Sequence, residues 1–363
     1  MADISINARF LTQPITGVQR YALELIKAFD SLIEMGEIKG CKFELLAPPR
    51  KPLHPLTLKN IPIRQVGIFS GYMWEQFELP FYAQKGLLFC PGNMAPFVSL
   101  LSGQKILVTV HDLSYLYFPE AYSLPFKLFY RTVVPLVLKN ANAVITVSNS
   151  AKDSILNRYG YASDRLHVVP NGVFSKNNLL DKQNKAEEPP FVLYVGSLNK
   201  RKNLDGILNA AKLLNDKGKV RFVIVGSYEK IFSSVKLDSA AAYIDFKGQI
   251  NDVEELIKLY RSASCFIFPS FYESFGFPPL EAMACGCPAI VSNAGSLPEV
   301  CGDAVVYCDP YNVNDIAEKI MQVITNEPLQ AELRQKGMAQ AKKFSWERCA
   351  RETFAVIEKI LNK

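Results

Sequence analysis

The chain has 363 residues and a formal net charge of +6, from 41 Lys and Arg against 35 Asp and Glu; 49% of its residues are hydrophobic and 21% are charged. At roughly 150 residues per domain this length corresponds to about two domains, and the composition excludes disorder, a disulfide miniprotein and a fibrous chain. No stretch reaches the ~18 uninterrupted apolar residues of a membrane span, and Met1-Ala2-Asp3-Ile4 has neither a basic start nor an apolar signal core, so cytoplasmic residence is expected.

Ile4 to Phe10 alternates apolar and polar residues as a half-buried strand does. A turn at Pro14-Ile15-Thr16-Gly17 follows, and then Val18, Tyr21, Ala22, Leu25, Ile26 and Phe29 mark one apolar helix face. The runs Ile106 to Val110 and Ala143 to Val147 end in His111 and in Ser148-Asn149-Ser150, and both read as buried parallel strands opening into loops. Residues 177–189 are polar and read as a linker.

A second series of short apolar runs begins after it: Phe191 to Val195, Phe222 to Val225, Ile244 to Lys247, Cys265 to Phe268 and Ala289 to Val291. Helical patterns such as Leu204, Ile207, Leu208, Ala211 and Leu214 separate them, giving the alternation of a doubly wound sheet. The expected organisation is an N-terminal Rossmann-like domain at 1–176, a linker at 177–189, a second Rossmann-like domain at 190–345 and an amphipathic helix at 346–363 that packs back on the first domain. Ligands of open parallel sheets bind beyond the carboxyl ends of the strands, so two such domains facing one another would hold a site in the cleft between them.

The eight cysteines are scattered, and Cys285-Gly286-Cys287 has neither redox nor zinc-ribbon spacing. They read as reduced thiols packing as small hydrophobes, and the three histidines lie too far from paired cysteines to suggest a metal centre.

The most informative stretch runs from Phe271 through Glu273, Ser274, Phe275, Gly276, Pro278, Pro279 and Glu281 to Gly286. A loop carries Glu273, Gly276 relaxes the backbone, and Pro278-Pro279 start a helix whose free N–H groups suit a phosphate. With Glu281 in the first turn, its carboxylate is placed to accept two ribose hydroxyls, while Glu273 is placed to accept a hydroxyl of whatever the phosphates carry. The plainer alternatives are a carboxylate that merely favours a helix start and a solvated loop glutamate.

This Glu-x7-Glu pattern, followed by Ser292-Asn293-Ala294-Gly295-Ser296-Leu297-Pro298-Glu299-Val300, resembles the retaining GT-B glycosyltransferases of family four. The resemblance spans nearly the whole chain, through Thr16-Gly17-Val18-Gln19-Arg20-Tyr21, Val110-His111-Asp112, Val147-Ser148-Asn149-Ser150, Val169-Pro170-Asn171-Gly172-Val173 and Tyr194-Val195-Gly196-Ser197-Leu198-Asn199-Lys200-Arg201-Lys202-Asn203, in the family's order.

The resemblance implies a GT-B fold in which the C-terminal domain holds a nucleotide sugar and the N-terminal domain presents the acceptor. It implies catalytic roles for His111, Glu273, Lys202 and Arg201, and donor contacts from Gly17, Gly196, Ser197, Gly248, Gln249, Ile250, Ser274, Phe275, Gly276 and Glu281. Lys202 would sit on the diphosphate, and Arg201 would replace an arginine that many relatives place where this chain has Ser197. His111 would reach a hydroxyl or carbonyl oxygen of the donor sugar unless it is a structural histidine, and Gly17 would admit backbone N–H groups to the diphosphate unless it is only a turn glycine. Glu299 is placed either to position the donor or simply to favour a helix start.

Cationic side chains in place of a metal agree with the lack of an Asp-x-Asp motif, so neither metal nor cofactor is expected. The favoured donor is GDP-mannose; UDP- or dTDP-sugars and a non-catalytic sugar-nucleotide-binding subunit are the alternatives. The expected acceptor is a saccharide or polyprenyl-diphosphate-linked oligosaccharide. A dehydrogenase is disfavoured because no Gly-x-Gly-x-x-Gly follows a strand, and a nucleic-acid partner because no supporting motif is present.

Residues 1–176 hold 18 Lys and Arg against 12 Asp and Glu, whereas residues 177–363 hold 23 of each. Two aromatic, partly basic stretches, Phe69 to Tyr82 and Tyr115 to Arg131, lie in the basic half and suit either a lipid headgroup boundary or ordinary core packing. Peripheral contact with the anionic inner membrane follows as an expectation.

Overall fold

The computed structural model describes residues 2–119, 122–160, 163–173, 190–215, 220–227 and 242–362. It divides into two compact units, the first formed by Met1–Gly172 with Trp346–Lys363 and the second by Val173–Ser345. The expected linker at 177–189 lies outside the described residues.

Unit 1 is built on the strands β1 (Ala2–Asn7), β2 (Cys41–Ala47), β3 (Ile63–Gln65), β4 (Leu87–Cys90), β5 (Lys105–Thr109), β6 (Ala143–Thr146) and β7 (Leu166–Val168). All pair in parallel, in the order β3-β2-β1-β4-β5-β6-β7. The chain moves outward from β1 to β3 and then returns to the other side of β1. The topological switch point therefore lies between β1 and β4.

The alternation at Ile4 to Phe10 predicts a strand with one wet face, but β1 is central and ends at Asn7. Ser5 and Asn7 are both buried and take side-chain partners, Ser5 Oγ donating to Glu44 at 3.1 Å and Asn7 Nδ2 to Glu75 at 2.6 Å. Arg9–Thr12 then turns as a 3-10 helix. The Gly17–Glu34 helix follows, burying Tyr21, Ala22, Leu25, Ile26 and Phe29 as its periodicity predicts.

The last helix, Trp346–Leu361, also belongs to unit 1. Phe354 meets Phe43 with ring centroids 6.2 Å apart, Trp346 meets Tyr21 at 6.1 Å, and Arg351 pairs with Glu37 at 2.7 Å. Of the two aromatic stretches, Trp74, Tyr115 and Tyr130 are core residues, whereas Phe69, Tyr72, Met73, Phe77, Phe81, Tyr82 and Tyr117 are exposed.

Unit 2 carries β8 (Phe191–Val195), β9 (Arg221–Val225), β10 (Ile244–Gly248), β11 (Cys265–Phe268), β12 (Ala289–Ser292) and β13 (Val306–Cys308) in the order β10-β9-β8-β11-β12-β13, again all parallel. Its switch point lies between β8 and β11. Apolar residues fill β8, β9, β11 and β12, which are covered on both faces, and this is why these strands read as continuous runs. All eight cysteines are free, and burial raises the thiol pKa of Cys265, Cys301 and Cys308 to about 12.

Candidate active site

Two loops meet at the unit 2 switch point. After β8, the chain passes Gly196 and Ser197 into a 3-10 turn at Lys200–Lys202, capped by Asn199, whose Oδ1 accepts from Lys202 N at 3.2 Å. Ser197 is consumed in shaping this loop: its carbonyl accepts from Tyr194 OH at 3.0 Å and its Oγ from Asn199 Nδ2 at 3.1 Å. The loop after β11 is tied to it through Arg201 O, which accepts from Phe271 N at 2.9 Å and Ser270 Oγ at 3.1 Å.

That backbone zipper brings Glu273 to Lys202 and Arg201, which lie about 70 residues earlier in sequence. Lys202 Nζ donates to Glu273 Oε1, Arg201 Nη1 reaches the same oxygen at 3.2 Å and Tyr272 O at 2.8 Å, and Ser270 Oγ adds a third contact at 2.7 Å. Lys202 Nζ also lies 4.7 Å from the centroid of the Phe268 ring. Glu273 is therefore a buried carboxylate, not a solvated loop residue. Burial works to raise its pKa, but the two cations and these hydrogen bonds outweigh burial and hold it below the ordinary value. Ser270 escapes a motif reading because it stands one strand-end residue ahead of the informative stretch.

The helix that follows begins one residue earlier than its prolines suggest. Phe277–Ala284 has Gly276 as N-cap with φ 95°, so Pro278 and Pro279 occupy the second and third positions and contribute no N–H. Backbone donors for an anion are thus restricted to the Gly276–Phe277 end of the loop. Leu297 Cδ2 would lie 2.6 Å from a Cβ at Gly276, which adds a packing reason for glycine there.

This start corrects the expected place of Glu281: it is the fifth helical residue, beyond the first turn, and it is buried. Its Oε2 accepts from Tyr260 OH at 3.1 Å, a partner on the preceding helix that no local motif announces. The Phe275 ring packs against Phe277 and Phe344 inside the unit, while Ser274 is half-buried. Glu299 is exposed in the first turn of Leu297–Cys301.

At the end of β10, Gly248 O accepts from Gly226 N at 2.8 Å, Gln249 is exposed with its Nε2 donating to Asn251 at 3.0 Å, and Ile250 is half-buried. The β9 and β10 ends thus lie next to the Gly196 loop, Gly196 N itself donating to Val225 O at 3.0 Å.

His111 and Gly17 belong to unit 1. His111 is buried beyond β5; its Nε2 donates to Pro91 O at 2.9 Å, leaving Nδ1 as the acceptor nitrogen, and its ring meets Tyr21 edge-on with centroids 4.7 Å apart. Burial lowers its pKa, so the neutral imidazole is favoured. Gly17 is the exposed first residue of its helix, whose start is closed by Gln19 Oε1 accepting from Thr16 N at 3.2 Å. Among the described residues no three His, Cys, Asp or Glu side chains are grouped as metal ligands.

Comparison with known proteins agrees with this fold. The family model described as group 1 glycosyl transferases matches residues 175–340, and the one described as glycosyltransferase family 4 matches residues 15–175. The O-antigen chain mannosyltransferase B of Escherichia coli is 30% identical over 382 aligned residues, covering 94% of this chain and 95% of the relative. The O-antigen chain mannosyltransferase RfbU of Salmonella typhimurium is 29% identical over 59% of this chain and 58% of its own. Among solved structures, sucrose-phosphate synthase from Thermosynechococcus elongatus superposes with TM-score 0.73 at 19% identity, covering 100% of both chains. WaaG, a glycosyltransferase involved in lipopolysaccharide biosynthesis, superposes with TM-score 0.71 at 16% identity over 98% of this chain and 99% of its own.

Proposed function

The chain belongs to the group 1 glycosyltransferases of family 4, and from that membership we propose that it moves mannose from GDP-mannose to a saccharide acceptor in surface polysaccharide synthesis, with retention of anomeric configuration and without a metal. The observation that carries this reading is the buried cluster of Lys202, Arg201 and Glu273 at a strand switch point, in a chain that aligns end to end with an O-antigen mannosyltransferase.

The sugar–phosphate bond breaks as the nucleoside diphosphate leaves and gathers negative charge. Lys202, Arg201 and the backbone N–H groups at Gly276–Phe277 are the donors placed to stabilise that charge. Glu273 then exchanges its cations for a hydroxyl of the donor sugar, and Glu281 accepts the ribose hydroxyls. His111 Nδ1 accepts a hydroxyl of the transferred sugar. The acceptor oxygen bonds to the anomeric carbon on the face from which the diphosphate leaves, and a phosphate oxygen of the donor takes its proton. The acceptor is a saccharide, free or polyprenyl-diphosphate-linked, approached at the cytoplasmic face of the inner membrane.

A thermal-shift panel of GDP, UDP, dTDP and their sugars tests the donor, since a ligand at 100 times its Kd raises stability by about 2.7 kcal/mol. A shift with GDP and GDP-mannose alone is expected, and a larger shift with UDP or dTDP sugars overturns this donor. Transfer is expected to persist in EDTA; restoration of activity by Mg²⁺ alone overturns the metal-free reading. Flotation with anionic liposomes tests the membrane contact, which requires binding.

A further inference from the structure

Three helical segments of unit 1 share one hub, the ring of Phe129. Tyr72 meets it edge-on with centroids 5.3 Å apart, and Phe97 meets it edge-on at 6.4 Å. Gln76 Oε1 accepts from Phe97 N at 3.0 Å, which ties the helical stretch 71–82 before β4 to the Phe97–Leu101 helix after it. Phe129 itself belongs to the Leu124–Asn140 helix, which buries Tyr130, Val133, Val134, Val137 and Leu138 in the core.

What these segments turn outward is apolar. Met73, Phe77, Val98, Leu101, Leu124 and Leu128 are 53–74% exposed. One such side chain is ordinary, but six on neighbouring segments mark an interaction surface. Leu124, Lys127, Leu128 and Arg131 stand at i, i+3, i+4 and i+7 of their helix, so two cations share the face of two exposed leucines.

The charge around this face has one sign. Residues 97–104 and 122–140 contain no Asp or Glu, and the second range carries Lys127, Arg131 and Lys139. Both carboxylates of 71–82 are committed within the unit: Glu75 is buried on Arg9 at 3.3 Å, and Glu78 accepts from Ile68 N and Phe69 N, each at 2.9 Å. An apolar face edged by cations fits anionic lipid, where leucine and aromatic side chains enter the acyl boundary and Lys and Arg stems reach the headgroups. It fits a second copy of this chain poorly, because a two-fold contact sets the same face against itself and brings Lys127 and Arg131 towards their own counterparts.

We propose that this face docks unit 1 on an anionic lipid surface, with Phe77, Leu101, Leu124 and Leu128 entering the acyl boundary and Lys127 and Arg131 meeting headgroup phosphates. The surface takes its purpose from the membrane contact proposed above and rests on that reading, but the two can fail separately.

The full-length protein is floated with phosphatidylcholine vesicles, with and without phosphatidylglycerol, and followed by fluorescence in Phe77→Trp, since both native tryptophans, Trp74 and Trp346, are buried. Wild type is expected to float with the anionic vesicles, and Phe77→Trp emission to shift to the blue and be quenched by brominated acyl chains. The double variant Leu124→Ser, Leu128→Ser should weaken vesicle binding about tenfold or more through lost apolar burial, while its GDP affinity stays within about twofold. Lys127→Glu with Arg131→Glu should abolish the preference for phosphatidylglycerol. Vesicle binding that the double leucine variant leaves within about twofold of wild type, or Phe77→Trp emission that vesicles do not change, overturns this surface and leaves the membrane contact standing. A wild type that floats with neither vesicle overturns the membrane contact itself, and the surface with it. A dimer in solution that Leu124→Ser, Leu128→Ser splits into monomers gives the face to a second copy and overturns lipid docking.

Discussion

Lys202 and Glu273 form an ion pair whose side chains are 9% and 8% exposed, and Arg201 shares the same carboxylate oxygen. The cations that the proposed mechanism assigns to a leaving diphosphate are therefore paired with an internal carboxylate. On the proposed mechanism, anion binding would draw them from Glu273 and free its oxygen for the sugar carried by that anion. Donor capture and placement of Glu273 against the sugar would then be one exchange of partners.

Glu273→Gln leaves two buried cations facing a neutral amide. Removal of one partner from a buried pair costs about 3 kcal/mol, so urea unfolding should shift to lower midpoint with unchanged slope. Because diphosphate relieves the repulsion, GDP should raise the melting temperature of this variant more than that of wild type, although transfer falls by about 100-fold or more. An equal shift in both proteins would contradict the partner exchange.

Acid should destabilise the protein in two stages. The pKa of buried His111 is lowered from its ordinary 6.5, so the unfolded chain binds the proton first and stability declines as pH falls below that value. Glu273 has a pKa depressed from 4.5, so its contribution is complete above that pH and is lost as pH falls through the lower folded value. Urea midpoints measured from about pH 8 down to about pH 3 should show a smaller second stage in Glu273→Gln than in wild type; Glu37 and Asp245, also held below their ordinary values, supply the remainder.

Arg201 holds Tyr272 O as well as Glu273, and thereby braces the loop that presents the carboxylate. Arg201→Ala should reduce transfer at saturating donor by about tenfold or more, whereas Arg201→Lys restores charge without the two-pronged contact and should recover only part of it. Transfer within a few-fold of wild type in Arg201→Ala would show that Lys202 suffices at a position where Ser197 is committed to the loop.

Gly295 tests the backbone behind the site. Its φ is 59°, and a Cβ there would lie 2.3 Å from Glu273 O. That carbonyl also accepts from Ser296 N at 3.0 Å. Gly295→Ala should cost about 2 kcal/mol in backbone strain and displace Glu273, so kcat should fall while thermal stability remains sufficient for a folded assay at low temperature.

What the sequence determined by itself is whatever local patterning carries. The second series of apolar runs marks the interior of the unit 2 strands, because a strand covered on both faces must be apolar throughout. Periodicity marks Gly17–Glu34 and Trp346–Leu361, and the motif loops place Lys202, Arg201 and Glu273 at strand ends. The tertiary structure decided the partnerships: Glu75 with Arg9 and Asn7, Tyr260 with Glu281, Ser270 with Glu273, and the last helix with unit 1. It also moved Glu281 past the first helical turn, since the helix starts at Phe277. The physical reason is that periodicity depends on near neighbours. Satisfaction of a buried polar group depends on which distant loops the sheet order brings to the same edge, and the reversal of strand order at β1–β4 and β8–β11 makes that choice.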